Sequence, residues 1–150
     1  MTRFVSIKAR NPMPHYIAYW KWPDYCGKDQ QNAYHSKSTV VEQMKEGDVL
    51  WLFTRKPDTQ TIHMVQRIVV KEKGRTASFK PRIYWVQGEG ELREAATWSK
   101  NEDWLRVFDK VKTAKGTSLA SNSAGELAQR FMQPRQIDLE SAHALEKRWR

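Results

Sequence analysis

The sequence has few of the features that cross-link a small protein by disulfides, anchor it in a membrane or direct its export. It contains one cysteine, and none of its apolar runs approaches the roughly 20 residues of a membrane-spanning helix. Cys26 cannot form an internal disulfide, which favours a reducing compartment. The N-terminus reaches Lys8 and Arg10 after one short apolar stretch and lacks the pattern of a cleavable signal. We therefore expect a cytoplasmic protein with no membrane partner, and a single domain over residues 1–150.

Recognisable catalytic and metal-binding motifs are also missing. The chain has four scattered histidines: His15, His35, His63 and His143. Neither a Cys-x-x-Cys nor a His-Glu-x-x-His spacing occurs. Gly88 and Gly90 suit a hairpin turn better than a phosphate-binding loop, and no serine or cysteine lies in a nucleophile elbow. The sequence predicts no catalytic residue, no metal and no cofactor.

Positive charge and tryptophan are abundant instead. The chain has 26 Lys and Arg against 17 Asp and Glu, a net charge of +9, and seven tryptophans. A basic surface attracts phosphates, and exposed aromatic rings offer faces on which bases stack. Most tryptophans nevertheless pack in cores, and a basic surface with no partner is the simpler alternative. Composition alone favours a nucleic-acid-binding protein.

The segment 34–73 predicts the centre of the fold. Thr39 and Glu42 have capping-box spacing at the start of a short helix. Glu46-Gly47-Asp48 predicts the turn that ends it, because glycine tolerates positive φ. Residues 49–54 are almost continuously apolar, as in a strand buried on both faces, and residues 61–71 read as its antiparallel neighbour.

The remaining patterns complete an α+β fold of five or six strands with two or three short helices. Further strands are predicted at 4–9, 15–22, 82–86 and 104–111. A loop is predicted at 25–38 and a linker at 115–123. Ser123 with Glu126 predicts one helix running through Met132, and Asp138 caps a final helix with charges suited to its dipole.

An aromatic and basic constellation is the main candidate site. Tyr34 and several tryptophans flank the predicted loop, and Trp51 and Phe53 share one face of the central strand. Arg55 and Lys56 follow at the end of that strand. If a barrel opens there, aromatic walls meet a cationic rim that could hold an extruded base and its flanking phosphates. The alternative is that Trp51 and Phe53 are ordinary core residues.

Three segments resemble the EVE branch of the PUA-like superfamily, which also includes the YTH and ASCH domains. They are YIAYWKWPDY at 16–25, YHSKSTVVEQMKEGDVLWLFTRKP at 34–57 and HMVQRIVV at 63–70. The turn Met44–Asp48 and the strand-ending Pro23 match the family pattern. Tyr34 and His35 fall where the family usually has an asparagine-tyrosine pair. The loop lacks the tryptophan that usually precedes this pair.

The resemblance implies a PUA-like pseudo-β-barrel whose cleft accepts a methylated or hydroxymethylated base in DNA or RNA. We expect the cage to comprise Trp20, Trp22, Tyr34 and Trp51. The wider predicted pocket adds His35, Ser36, Phe53 and Thr54. Phosphate contacts are expected from Lys21, Arg55, Lys56 and Arg82. Relatives that serve in modification-dependent restriction suggest a nuclease or other protein partner.

Two other classes of function stay open. The first is a small nucleic-acid-processing enzyme that uses His35 or His63 with a nearby carboxylate. The second is a protein-interaction subunit of a defence or RNA-processing complex, in which a tryptophan-rich surface contacts another protein.

Overall fold

A single mixed sheet organises the chain in a computed structural model that describes residues 13–20, 33–56, 60–75, 84–92 and 104–149. The strands are β1 His15–Tyr19, β2 Ala33–Ser36, β3 Val49–Lys56, β4 Thr61–Arg75, β5 Tyr84–Leu92 and β6 Arg135–Ile137. The helices are α1 Thr39–Gln43, α2 Ala124–Arg130 and α3 Leu139–Trp149, with a 3₁₀ helix at Val107–Lys110. These elements confirm the predicted α+β class.

The six strands lie in the order β2-β5-β4-β3-β1-β6. β1 and β3 are parallel, and the other neighbouring pairs are antiparallel. β2 and β6 lie at the two ends of this order, so the described strands form an open sheet and not a closed barrel. Within the described ranges, no helix is long and apolar enough to cross a membrane.

The sheet is open but strongly curved. In a flat sheet, strand spacings of about 4.8 Å would separate β1 from β2 by about 19 Å. Trp20, directly after β1, nevertheless lies 6.2 Å from Tyr34 of β2 between ring centroids. Two register shifts in β4, opposite Leu52/Phe53 and between Val70 and Glu72, supply the bend, because bulges increase strand twist. We call the side on which these rings meet the concave face and the other side the convex face.

Each face carries its own core. The concave core includes Tyr16, Ala18, Trp20, Tyr34, Val41, Met44, Leu50, Leu52, Val65, Ile68, Val70, Tyr84 and Val86. On the convex face, Trp51 and Phe53 pack with residues of α2, α3 and the 3₁₀ helix. β3 runs between the two cores with buried side chains on both faces, as the sequence predicts. Its antiparallel pairing with β4 is also confirmed.

The observed N-caps are those that the sequence predicts, except in α1, where the cap lies one residue earlier. The Ser38 hydroxyl accepts a hydrogen bond from the Val40 amide at 3.1 Å, so Ser38 and not Thr39 is the N-cap. The predicted caps Ser123 and Asp138 are confirmed by bonds to the amides of Glu126 and Ser141, at 3.1 and 2.8 Å. The predicted turn at Gly47 is confirmed by its φ of +94°.

Several predicted elements are wrong. Residues 104–111 form a turn and a 3₁₀ helix, because their buried side chains, Trp104, Phe108 and Val111, recur at helical spacing. Residues 33–36, predicted as loop, pair with β5. The predicted linker at 115–123 forms no helix or strand beyond an isolated bridge at Ser118, as expected, but it buries Leu119 against the convex core. The predicted strand 4–9 lies outside the described residues.

Gly88 also has a different role from the predicted hairpin turn. It lies inside β5, opposite Val70 in β4. A Cβ atom at this position would be 1.8 Å from the backbone oxygen of Val69. Glycine is therefore required because the two backbones approach closely at a bulge, and not because the chain turns.

Candidate functional site

Two aromatic rings form a corner on the concave face. Trp20 extends β1, since its amide donates a 2.9 Å hydrogen bond to the oxygen of Phe53 in β3. Its indole meets the ring of Tyr34 edge to face, at an interplanar angle of 85°. The two residues are 5% and 4% exposed. The two rings are in contact and almost fully covered, so they would form adjoining walls of a cage only after moving apart.

Tyr34 brings a hydrogen-bonding group to this corner. Burial raises the pKa of its phenol to about 12, although a hydrogen bond with the Ser36 side chain opposes the shift. The Ser36 hydroxyl also accepts a hydrogen bond from the Ser38 amide at 3.0 Å. The phenol therefore keeps its proton at neutral pH, and Ser36 ties it to the start of α1.

Buried polar side chains lie on the same face where β3 and β4 pair. Thr54 lies opposite His63, and both are buried. The Thr54 hydroxyl has no hydrogen-bond partner among the described residues, whereas His63 shares a 2.7 Å hydrogen bond with Thr61. An unsatisfied buried hydroxyl costs about 1–3 kcal/mol. Thr54 adjoins the peptide that Trp20 contacts, so polar groups accompany the aromatic corner.

The structure does not bring the predicted cage together. Trp51 and Phe53 are fully buried in the convex core, on the opposite face from Trp20 and Tyr34. Trp51 contacts Trp149 of α3 at 5.8 Å between centroids, and Phe53 packs against the 3₁₀ helix. The physical reason is strand alternation, which directs odd-numbered residues of β3 away from Thr54.

Other predicted site residues also lie away from the Trp20–Tyr34 corner or outside the described residues. His35 is exposed and pairs with Trp85 on the side opposite Tyr34, as alternation along β2 requires. Arg55 points to the convex side, where its Nη1 atom lies 3.1 Å from the Cβ position of Gly125 in α2. Lys56 ends β3, and nothing is described of its side chain. Trp22, Lys21 and Arg82 lie outside the described residues. The expected cationic rim is thus not assembled by the described side chains.

A polar network on the convex face was not foreseen from the sequence. The Trp51 indole N–H donates a 3.0 Å hydrogen bond to His15 Nδ1, and the Arg67 guanidinium lies over the Trp51 ring at 5.4 Å. Arg67 binds Glu146 of α3 with two hydrogen bonds of 2.8 and 2.6 Å. The partners lie 36 and 79 residues apart, so no local spacing reveals them. This network fastens α3 to the sheet.

Burial lowers the pKa of His15 below its usual value. Glu146 opposes this shift, while Arg67 and His143 reinforce it. Neutral His15 can accept the Trp51 hydrogen bond at Nδ1, whereas the protonated ring cannot. The network therefore depends on an uncharged His15.

Chemically, the concave face combines aromatic rings with hydrogen-bonding side chains. Among them, no three His, Cys, Asp or Glu side chains lie close enough together to bind a metal ion. Trp20 and Tyr34 offer aromatic surface, while Thr54 and His63 offer hydrogen bonds on the same face. Comparison of the chain with protein-family models, curated proteins and solved structures gives no match in any of the three.

Proposed function

We propose that the chain is a PUA-like, EVE-type domain that binds nucleic acid by holding one modified base on its concave face. The observation that carries this proposal is the Trp20–Tyr34 corner, with rings 6.2 Å apart at 85°. A base extruded from its strand would stack on one ring and present its edge to the other. Trp22, which lies outside the described residues, stays a candidate cage residue in this proposal.

The polar side chains on the same face support recognition of a base edge. The unpartnered Thr54 hydroxyl would gain a hydrogen bond, which recovers the cost of burying it alone. His63 and the Tyr34 phenol add further hydrogen-bonding groups. A methyl or hydroxymethyl group on the base would fill apolar space, and each buried carbon contributes about 0.8 kcal/mol. The proposed ligand is a methylated or hydroxymethylated base in DNA or RNA.

Both rings are nearly inaccessible, so binding must open the corner. Trp20 and Tyr34 are 5% and 4% exposed, and their mutual contact fills the space that a base would occupy. We propose that the rings separate as the base inserts between them.

The charge of the chain supports a nucleic-acid ligand. Its net charge of +9 raises the local concentration of phosphates and speeds encounter with a strand. We propose a non-catalytic, cytoplasmic module that acts on its own or beside a nuclease partner. Base selectivity would reside in the concave face, and affinity for the backbone in the basic side chains.

Fluorescence anisotropy with matched oligonucleotides tests this proposal. The DNA and RNA strands would be unmodified or carry methylcytosine, hydroxymethylcytosine or methyladenine, at two salt concentrations. The proposal predicts tighter binding to one modified strand, with a preference that persists at high salt. Equal and steeply salt-dependent binding to every strand would leave only a basic surface.

Two further outcomes would favour the other classes of function. Cleavage of the strands that depends on a divalent metal would indicate a nucleic-acid enzyme using His35 or His63. Failure to bind any strand, together with a partner protein that co-purifies after nuclease treatment, would indicate a protein-interaction subunit.

A further inference from the structure

A cleft lies between α1 and the C-terminal end of β4. It has a volume of about 240 Å³ and is lined by Glu42, Lys73, Gly74, Arg75 and Tyr84. Lys73 and Arg75 are exposed, whereas Tyr84 belongs to the concave core. The cleft is therefore a cationic pocket that opens from the same face as the aromatic corner.

The two cations of this cleft retain capacity for an anion. Lys73 Nζ donates a 2.6 Å hydrogen bond to the backbone oxygen of Glu42, which fixes one of the three donors of its ammonium group. Arg75 lies 4.0 Å from the Glu42 carboxylate, beyond hydrogen-bond distance, and its side chain is 53% exposed. Exposed ion pairs of this geometry contribute little, about 0–1 kcal/mol. A stronger anion would therefore displace the Glu42 carboxylate readily.

Sheet register relates the cleft to the aromatic corner. Tyr34 pairs with Val86, which pairs with Lys73, while Ser36 pairs with Tyr84, which pairs with Arg75. Each cation is thus two strand spacings, about 10 Å, from the β2 residue in its own row. That separation is on the scale of a single nucleotide.

We infer that this cleft binds a phosphodiester group of the strand whose base occupies the Trp20–Tyr34 corner. The inference rests on the proposed function, and it adds a phosphate site that the sequence did not suggest. Lys73 and Arg75 hold the phosphate oxygens, and Glu42 is the internal anion that the phosphate replaces.

Salt-dependent anisotropy with a single-stranded abasic oligonucleotide tests this site, because that probe has phosphates but no bases. Loss of one phosphate contact lowers the slope of log K against log salt by about 0.7 for a single strand. We expect this reduction for Arg75→Gln. Glu42→Gln should strengthen binding, because the competing carboxylate is gone.

Lys71→Gln is the matched control. It removes the same charge four residues away, at a bulge where Lys71 lines a different cleft with Glu72 and Glu89. Its slope should equal that of the wild type. An Arg75→Gln slope equal to that of the wild type, or an equal reduction in Lys71→Gln, would overturn the phosphate site. So would failure of the wild type to bind the abasic strand.

The base preference separates this inference from the proposed function. Arg75→Gln leaves the aromatic corner intact, so the affinity ratio between modified and unmodified strands should stay at the wild-type value. A normal preference with an unaltered salt slope would overturn the phosphate site alone. Absence of any base preference in the wild type would overturn the proposed function, whatever the slopes show.

Discussion

Trp20 and Tyr34 meet edge to face although their strands are four positions apart in the sheet. The contact exists because the long strand β4 bends at two bulges and carries β5 and β2 over the concave face. The aromatic corner is therefore a product of sheet curvature and not of neighbouring positions in one strand.

Matched tryptophan substitutions distinguish the role of the concave face in binding from the role of the convex face in stability. Trp20→Leu and Trp51→Leu make the same chemical change on opposite sides of the sheet. We expect Trp20→Leu to weaken binding of the preferred strand by about 1–3 kcal/mol, the usual contribution of a stacked base. Trp51→Leu should instead lower the free energy of unfolding by about 2–5 kcal/mol, because it leaves a cavity in the convex core.

Denaturant unfolding and anisotropy on the same preparations make this comparison. The affinity of folded Trp51→Leu protein should match that of the wild type. Normal binding by Trp20→Leu, or a loss of affinity in folded Trp51→Leu of the same size, would contradict the assignment of the pocket to the concave face.

The His15–Trp51 hydrogen bond predicts a pH dependence of stability. The pKa of His15 is lowered in the folded state, so below the free-histidine value of about 6.5 the unfolded chain binds more protons. The contribution of His15 is constant above that pH and is lost as the pH falls through 6.5 towards the folded pKa. Urea denaturation at several pH values between 8 and 5 measures this loss.

Two histidine variants isolate the effect of His15. His15→Gln keeps an acceptor for the Trp51 indole but does not titrate, so the fall in stability near pH 6 should be reduced. His35→Gln makes the same substitution at an exposed position outside this network and is the matched control. Glu146, Arg67 and His143 remain in both variants. Identical profiles for His15→Gln and the wild type would refute a neutral, buried His15.

Two glycines should respond oppositely to alanine. At Gly88 a Cβ atom would lie 1.8 Å from a backbone oxygen, so Gly88→Ala must open the β4–β5 pairing and cost about 3 kcal/mol or more. At Gly125 the nearest atom is the flexible end of Arg55, at 3.1 Å. Gly125→Ala should be neutral or stabilising by up to about 1 kcal/mol, because alanine favours helix. Thermal unfolding measures both, and equal effects would contradict the described strand pairing.

Secondary structure was predicted best where apolar residues or capping residues follow one another within a few positions. The apolar run of β3 and the capped helix α3 follow from sequence because burial and capping act over a few residues. Gly88 misled because a glycine can serve a turn or a close backbone approach, and only the pairing partner decides which. Residues 104–111 misled because the run WLRVFDKV alternates well enough for a strand, whereas its buried side chains, Trp104, Phe108 and Val111, recur at helical spacing.

The candidate site was only partly predictable, because it depends on contacts between residues that are distant in the sequence. The sequence predicted Trp20, Tyr34, Thr54, Trp51 and Phe53 in one pocket, whereas the structure buries Trp51 and Phe53 in the convex core, on the opposite face from Trp20 and Tyr34. Alternation along β3 determines which of its residues share a face. The contact between Trp20 and Tyr34 depends in addition on the curvature of the sheet, which no local pattern reveals. Nor could spacing reveal Lys73 and Arg75, whose cleft depends on contact between α1 and β4.

The most direct test of the central claim is the ratio of dissociation constants for unmodified and modified strands, measured at high salt. Screening removes most backbone attraction under that condition and leaves the contribution of the base. A buried methyl group of about 1 kcal/mol predicts a ratio of about five for one of the modified strands, falling towards one in Trp20→Leu. A wild-type ratio of one for every modification would contradict a modified-base pocket on the concave face.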